Sequence, residues 1–285
     1  MSEPLLSIVI ANYNYGRFIE EAIKSVLSQN CVEVELIVVD GGSTDNSVEV
    51  IKKYATPESK SKVEVEQRNS KISYWVSEPD KGQSDAFNKG FAHARGKYLT
   101  WVNADDMMVP GSLAKVIAAM KAHPECEWFT GNYYRMDKDG RRTEVFWGPH
   151  WYPKFLQRKT SPIVAYGPAT FFSKRIFDAA GGMNVACHYT MDTDLWARFI
   201  VAGIKQRRIN CFCWAFRMHE ASKTAEFGDH GMDAEHRKAM CEEERATYAR
   251  TGYQPTRVMR LMLKVWKLLD GSYIRACWMK RRCHV

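Results

Sequence analysis

Apolar and polar positions follow two alternating rhythms over the first hundred residues. Leu6 to Ala11 is an almost continuous apolar run, the pattern of a strand buried on both faces. Phe18, Ile19, Ala22, Ile23, Val26 and Leu27 then recur at helical spacing. Val34 to Val39 predicts a second buried strand ending at Asp40. Gly41-Gly42 turns the chain there, and Ser43 or Thr44 is placed to cap a helix carrying Val48, Val50 and Ile51. Ile72 to Val76 reads as a third strand. Gly82 to Ala94 reads as a helix with Ala86, Phe87, Gly90, Phe91 and Ala94 on one face. Tyr98 to Val102 is a fourth strand, ending at Asn103-Ala104-Asp105-Asp106. Strands alternating with helices at this spacing predict a doubly wound, mostly parallel α/β sheet.

Past Pro110 the pattern loosens. It predicts a helix to His123, a strand near Trp128 and a hairpin around Asp139-Gly140, a small antiparallel element. An aromatic stretch follows with Trp147, Trp151, Tyr152 and Phe155. Asp192 to Ala202 reads as a helix, Met232 to Thr251 as a polar helix, and Val258 to Leu269 as a basic amphipathic one. The expected organisation is an α/β domain over residues 1–225 and a C-terminal helical extension over residues 226–285.

Charge sharpens this division. The 285-residue chain carries a net +8, and from Pro255 onward eight Lys/Arg face only Asp270. The basic excess therefore belongs to a tail rather than to the whole protein. A specific nucleic-acid partner is not expected, because basic and aromatic residues do not interleave on a defined module. Eight cysteines lack any CxxC or finger spacing and read as reduced thiols. No apolar run approaches the roughly 18 residues of a spanning helix. The first residues lack a signal-peptide layout, so a cytoplasmic protein is expected.

The candidate chemistry gathers at strand ends. In an open parallel sheet, ligands bind beyond the carboxyl ends of the strands. Here those ends carry Asn12-Tyr13, Asp40, Glu78-Pro79-Asp80 and Asn103-Ala104-Asp105-Asp106. Asp40 alone reads as a helix cap; four polar or acidic strand ends together read as a site. Two adjacent carboxylates at 105 and 106 repel each other, and a hard divalent cation that also takes phosphate oxygens would offset this. The alternative is a capping pair for the helix starting near Gly111. Neither a GxGxxG after the first strand nor a GxxxxGK[ST] is present, which disfavours dinucleotide binding and P-loop chemistry.

Several ordered segments resemble the family 2 glycosyltransferases of the GT-A fold. They are Ser7 to Asn14, Val38 to Asp45, Glu78 to Gly82, Asn88 to Gly90, Ala94 to Tyr98 and Thr100 to Asp106. The resemblance spans roughly residues 5–225 and implies a nucleotide-sugar donor, most often UDP-linked, and an Mn2+ or Mg2+ ion. It implies that Asn12, Tyr13, Asp40, Asp80 and Asn103 bind the donor, with Tyr13 flanking the base and Asn103 near the ribose. Asp105 would be the principal metal ligand, supported by Asp106. Asn103 stands where the family often has an acid.

Met191-Asp192-Thr193-Asp194-Leu195-Trp196 is similar to the family's Glu-Asp-x-Asp-Leu-Trp stretch, with Met191 in place of Glu. By that match Asp192 is the catalytic base, since an acceptor hydroxyl needs a positioned carboxylate to take its proton. As plain sequence, Asp192 also reads as a helix N-cap. His219 is either a metal ligand or a structural histidine, and Lys223 would neutralise the leaving phosphate. The implied reaction is a single inverting displacement onto a saccharide or lipid-linked acceptor, in bacterial-type surface polysaccharide synthesis. A nucleotidyltransferase and an inactive scaffold are the rival readings. The aromatic stretch from Phe146 to Tyr166 is expected to border the acceptor. Val258, Leu261, Met262, Val265 and Leu269 share one helix face, with basic residues largely opposite and Trp266 at the boundary. That pattern predicts peripheral attachment to an anionic membrane on its cytoplasmic face.

Overall fold

In the computed structural model, which describes residues 3–55, 71–148, 158–160, 162–220, 222 and 234–282, the chain starts with a wholly buried strand, β1 (Leu6–Asn12). There follow α1 (Ile19–Leu27), β2 (Val34–Asp40), α2 (Ser47–Tyr54), β3 (Tyr74–Ser77), α3 (Gln83–Ala92), β4 (Tyr98–Asn103), β5 (Met107–Met108) and α4 (Ser112–Ala122). Next come β6 (Trp128–Met136), β7 (Arg142–Phe146), β8 (Thr170–Ser173), α5 (Lys174–Ala180), α6 (Met191–Val201) and β9 (Gln206–Arg217). Three helices close the chain: α7 (Ala234–Thr251), α8 (Arg257–Leu269) and α9 (Ser272–Arg282). Two compact units form, Met1–Glu125 with Phe171–Val185, and Cys126–Thr170 with Ala186–Val285.

In the first unit, β1 runs parallel between β2 and β4, and β3 lies parallel beyond β2. The short β8 pairs antiparallel with β4. Polar residues inside these strands are paired across the sheet. Ser7 donates to Glu35 at 2.6 Å, and the Arg95 guanidinium holds the same buried carboxylate at 2.7 Å. Helix α3 lies hard against β1: a Cβ on Gly90 would stand 2.4 Å from a Val9 methyl. Only glycine permits that approach. Phe91, Phe172 and Phe177 pack edge to face and stacked, with Phe91 and Phe177 centroids 4.8 Å apart. Ser43 and Thr44 do not cap α2; its N-cap is Asn46, and Gly111 occupies that position for α4, so Asp105 and Asp106 cap neither helix.

In the second unit, β6 pairs antiparallel with β7 and parallel with β9. Trp128 stacks on Trp196 of α6 at 5.6 Å, fixing that helix to the strand. Helix α8 docks through Leu263, which forms a buried pair with Val164, with Met259 and Trp266 packed against them. Trp266 is thus turned toward the protein, correcting its expected place at a membrane boundary. Trp151, Tyr152 and Phe155 lie outside the described residues. Among the described residues no helix is long and apolar enough to cross a membrane.

Candidate active site

Parallel register aligns the strand ends of the first unit. Asn12 is level with Asp40, Asp40 with Ser77, and Ala11 with Asn103. The Asp40 carboxylate is fully buried and accepts five hydrogen bonds. They come from Asn12 Nδ2 (2.6 Å), Ser43 Oγ (2.5 Å), Ser77 Oγ (2.7 Å), and the amides of Ser43 (2.9 Å) and Gly42 (3.2 Å). Burial alone would raise its pKa, but these donors outweigh it and hold the carboxyl below the usual value. Asp40 thereby ties three strand ends together. Asn12 uses its amide on Asp40 and Ser43, while its buried Oδ1 has no donor.

The loops beyond these ends are cross-linked. Asn14 adopts a left-handed backbone with φ 57°, its N–H donates to Ser43 Oγ, and its Oδ1 accepts from the Thr44 amide, both at 2.8 Å. Tyr13 and Asp80 meet over Gly41. A Cβ there would stand 2.5 Å from Asp80 Oδ2 and 3.4 Å from the Tyr13 ring. Asp80 Oδ1 accepts from the Gly82 amide at 2.8 Å. Tyr13 is exposed, leaving its ring face open.

At the end of β4, Asn103 is held at both ends of its amide. Gln83 Nε2 donates to its Oδ1 at 2.9 Å, and its Nδ2 donates to Asp106 Oδ2 at 2.7 Å. An acid at 103 could not donate to Asp106, so the amide suits a site already holding two carboxylates. Asp106 is buried; Asp105 is half-buried. The Tyr15 phenol is pushed up to about 12 by burial and then by the charges of Asp105 and Asp106. Tyr15 therefore stays protonated beside the pair, a neighbour that its place in an Asn-Tyr-Asn-Tyr run did not single out.

In the second unit, Asp192 occupies the first turn of α6 and Thr190 is the N-cap, which corrects the capping alternative for Asp192. Asp192 Oδ1 accepts from the Thr193 amide at 2.7 Å, yet burial raises its pKa above the ordinary value. Its neighbour in the motif has a different task. Asp194 is fully buried, accepts from Arg198 Nε at 2.8 Å and Thr247 Oγ1 at 3.1 Å, and pairs with Arg250. Helix α7 adds a second clamp that sequence reasoning missed. Glu243 accepts from the amides of His188, Tyr189 and Thr190 at 2.8, 2.9 and 3.0 Å, fixing the loop that leads into α6. The polar periodicity of α7 carries no signal of this, because its partners lie over fifty residues away.

Asp192 also contributes to raising the Tyr133 phenol, after burial, Tyr166 and Glu144. Tyr133 stacks flat on Phe146 at 4.3 Å and touches Tyr166 and Trp214, at 5.0 and 4.8 Å. Phe146 and Tyr166, the ends of the expected aromatic stretch, thus meet in one cluster. His219 is buried after β9, its amide donating to Ser222 Oγ at 3.2 Å. Lys223 lies outside the described residues. Among the described residues no three His, Cys, Asp or Glu side chains gather as a metal cluster. The donor set at Asp105 and Asp106 nevertheless fits Mg2+ or Mn2+, ions that bind through one or two carboxylates and take phosphate oxygens for the rest.

The mostly parallel sheet has polar groups aligned at its carboxyl edge, and the fold is the GT-A type. The model of glycosyl transferase family 2 matches residues 7–180, and the chain belongs to that family. It is 28% identical over 228 residues to WfaP of Escherichia coli, covering 78% of this chain and 80% of that protein. WfaP is named as a UDP-Glc:α-D-GlcNAc-diphosphoundecaprenol β-1,3-glucosyltransferase. The chain spans only 31% and 42% of two other curated glycosyltransferases it matches. Staphylococcus aureus TarS, solved with UDP, superposes with TM-score 0.57 at 14% identity, over 86% of this chain and 72% of that one. A mannosyltransferase of Pyrobaculum calidifontis, solved with GDP-Man and Mn2+, superposes with TM-score 0.55 at 14% identity, over 98% and 88%.

Proposed function

We propose that this chain is an inverting glycosyltransferase that moves a sugar from a UDP-sugar to a lipid-linked saccharide during surface polysaccharide synthesis. The observation carrying this reading is the in-register edge of Asn12, Asp40 and Asn103, with Asp105 immediately beyond it. Asn12 and Asp40 brace the strand ends beneath the donor, the exposed Tyr13 ring stacks on the base, and Asp80 and Asn103 meet the rest of the nucleotide. Asp105, backed by Asp106, would hold Mn2+ or Mg2+; when bound, the ion neutralises the diphosphate as a Lewis acid. His219 and Lys223 remain candidates for additional contacts to the metal and phosphate.

Asp192 accepts the proton of the acceptor hydroxyl, whose oxygen bonds to the anomeric carbon as the bond to the diphosphate breaks. The electron pair leaves with the diphosphate, and the centre inverts. The raised proton affinity of Asp192 makes it a stronger base than an ordinary aspartate. The aromatic stretch from Phe146 to Tyr166 borders the acceptor sugars in this reading. A UDP donor is supported by TarS solved with UDP, and a lipid-linked acceptor by the name of WfaP. The work site is accordingly the cytoplasmic face of a membrane.

The test is thermal stabilisation by a panel of nucleotide sugars with manganese or magnesium present. A donor at 100 times its Kd adds about 2.7 kcal/mol. UDP-sugars should stabilise and the metal-free controls should not. Stabilisation by none of the panel would overturn the reading.

A further inference from the structure

We infer that the outer face of α8, continued by α9, is a surface that lies in the headgroup region of an anionic lipid bilayer. Successive helix residues turn by roughly 100°, so α8 divides into three sectors. Met259, Leu263 and Trp266 form the first, which docks on Val164. Arg257, Arg260, Lys264 and Lys267 form the second. Val258, Leu261, Met262, Val265, Leu268 and Leu269 form the third, and they remain 38–73% exposed. A helix that only docks on its own protein presents polar residues outward. Here the docking sector is already filled, and the apolar sector is a separate one.

A contiguous apolar face in water calls for a partner. Neither α8 nor α9 contains an acidic residue, and the basic sector borders the apolar one. A second copy packed antiparallel about a two-fold axis would bring the same basic sector against its like. An anionic bilayer satisfies both sectors, taking the apolar side chains among its acyl boundaries and the cations at its phosphates. Helix α9 adds exposed Tyr273, Ile274 and Trp278, side chains suited to that depth. Thirteen residues span about 20 Å, too short to cross the hydrocarbon core, so the helix lies along the surface.

The inference rests on the proposed function for its purpose, access to a lipid-linked acceptor, but its test needs no turnover. Full-length protein is sedimented with phosphatidylcholine vesicles and with vesicles containing phosphatidylglycerol. The double variant Leu261→Glu, Leu268→Glu places charge on two side chains that are 62% and 60% exposed, so the core is untouched. The wild type should partition at least 10-fold more strongly onto the anionic vesicles. The variant should lose at least 10-fold while keeping its melting temperature and nucleotide-sugar binding. Equal binding by variant and wild type would overturn the inference, as would a lipid-free dimer that the variant dissociates. Lipid binding by a protein that recognises no nucleotide sugar would support this surface and remove the proposed function.

Discussion

The two aspartates of the Asp192-Thr193-Asp194 run should separate cleanly under mutation. Asp194→Asn removes a carboxylate that is fully buried and shared by Arg198 and Arg250. Breaking one side of a buried ion pair costs about 3–5 kcal/mol. The low end applies, because Arg250 is 47% exposed and regains water, whereas Arg198 is only 14% exposed and cannot. At roughly 2–4 °C per kcal/mol for a protein of this size, about 3 kcal/mol lowers Tm by about 6–12 °C. Asp192→Asn should leave Tm unchanged or slightly higher, since burial already disfavours its charged form. Transfer by that variant should fall by about 10²–10⁴-fold, the usual worth of a general base. Differential scanning fluorimetry and radiolabelled-sugar transfer, run on both variants, read the two effects independently. An Asp194→Asn protein with wild-type melting and abolished transfer would refute the assignment and move the base to Asp194.

Three further outcomes follow from the geometry. Gly41→Ala pushes a methyl to within 2.5 Å of Asp80 Oδ2 and against Tyr13, so donor KM should rise about 10-fold with the fold retained; an unchanged KM would separate Asp80 and Tyr13 from the donor. Asp105→Ala should abolish metal-dependent donor binding measured by calorimetry, and EDTA should do the same to the wild type; activity untouched by EDTA would remove the metal from the site. The acid limb of the rate profile should lie above the ordinary aspartate range, because the raised Asp192 must be ionised to act. By the same shift Asp192's contribution to stability falls as pH rises from the ordinary value through the raised one, since the folded state binds that proton more tightly. A limb that does not move in Asp192→Glu would assign it to another group.

Much of the polar sheet edge was legible in the sequence because its signals are local. An apolar run of five or six residues followed by a turn and a helical stripe specifies a strand–loop–helix step without reference to distant chain. Four such steps placed β1 to β4 within one or two residues of their observed ends. Strand β9 was missed, since Gln206, Arg207, Arg208 and Asn210 interrupt its apolar pattern and its backbone is satisfied by strands distant in sequence, β6 among them. The helix α5 and the strand β8 are short, and α9 reads as a mere basic tail.

The sequence by itself determined the rhythm of elements, the identity of the strand-end groups, the paired carboxylates at 105 and 106, and an apolar stripe in the C-terminal helix. Tertiary structure decided what each group does, because hydrogen-bond saturation and burial depend on partners far along the chain. Asp40 and Asp105 look alike as strand-end acids, yet Ser43, Ser77 and Asn12 saturate the first. Asp192 and Asp194 differ by two residues, but a helix turns about 200° over that step and delivers only Asp194 to the arginines and Thr247. Periodicity likewise marks α8 as apolar on part of its surface. A tertiary contact, with Val164, selects Leu263, Met259 and Trp266 to dock and leaves the other apolar side chains facing outward.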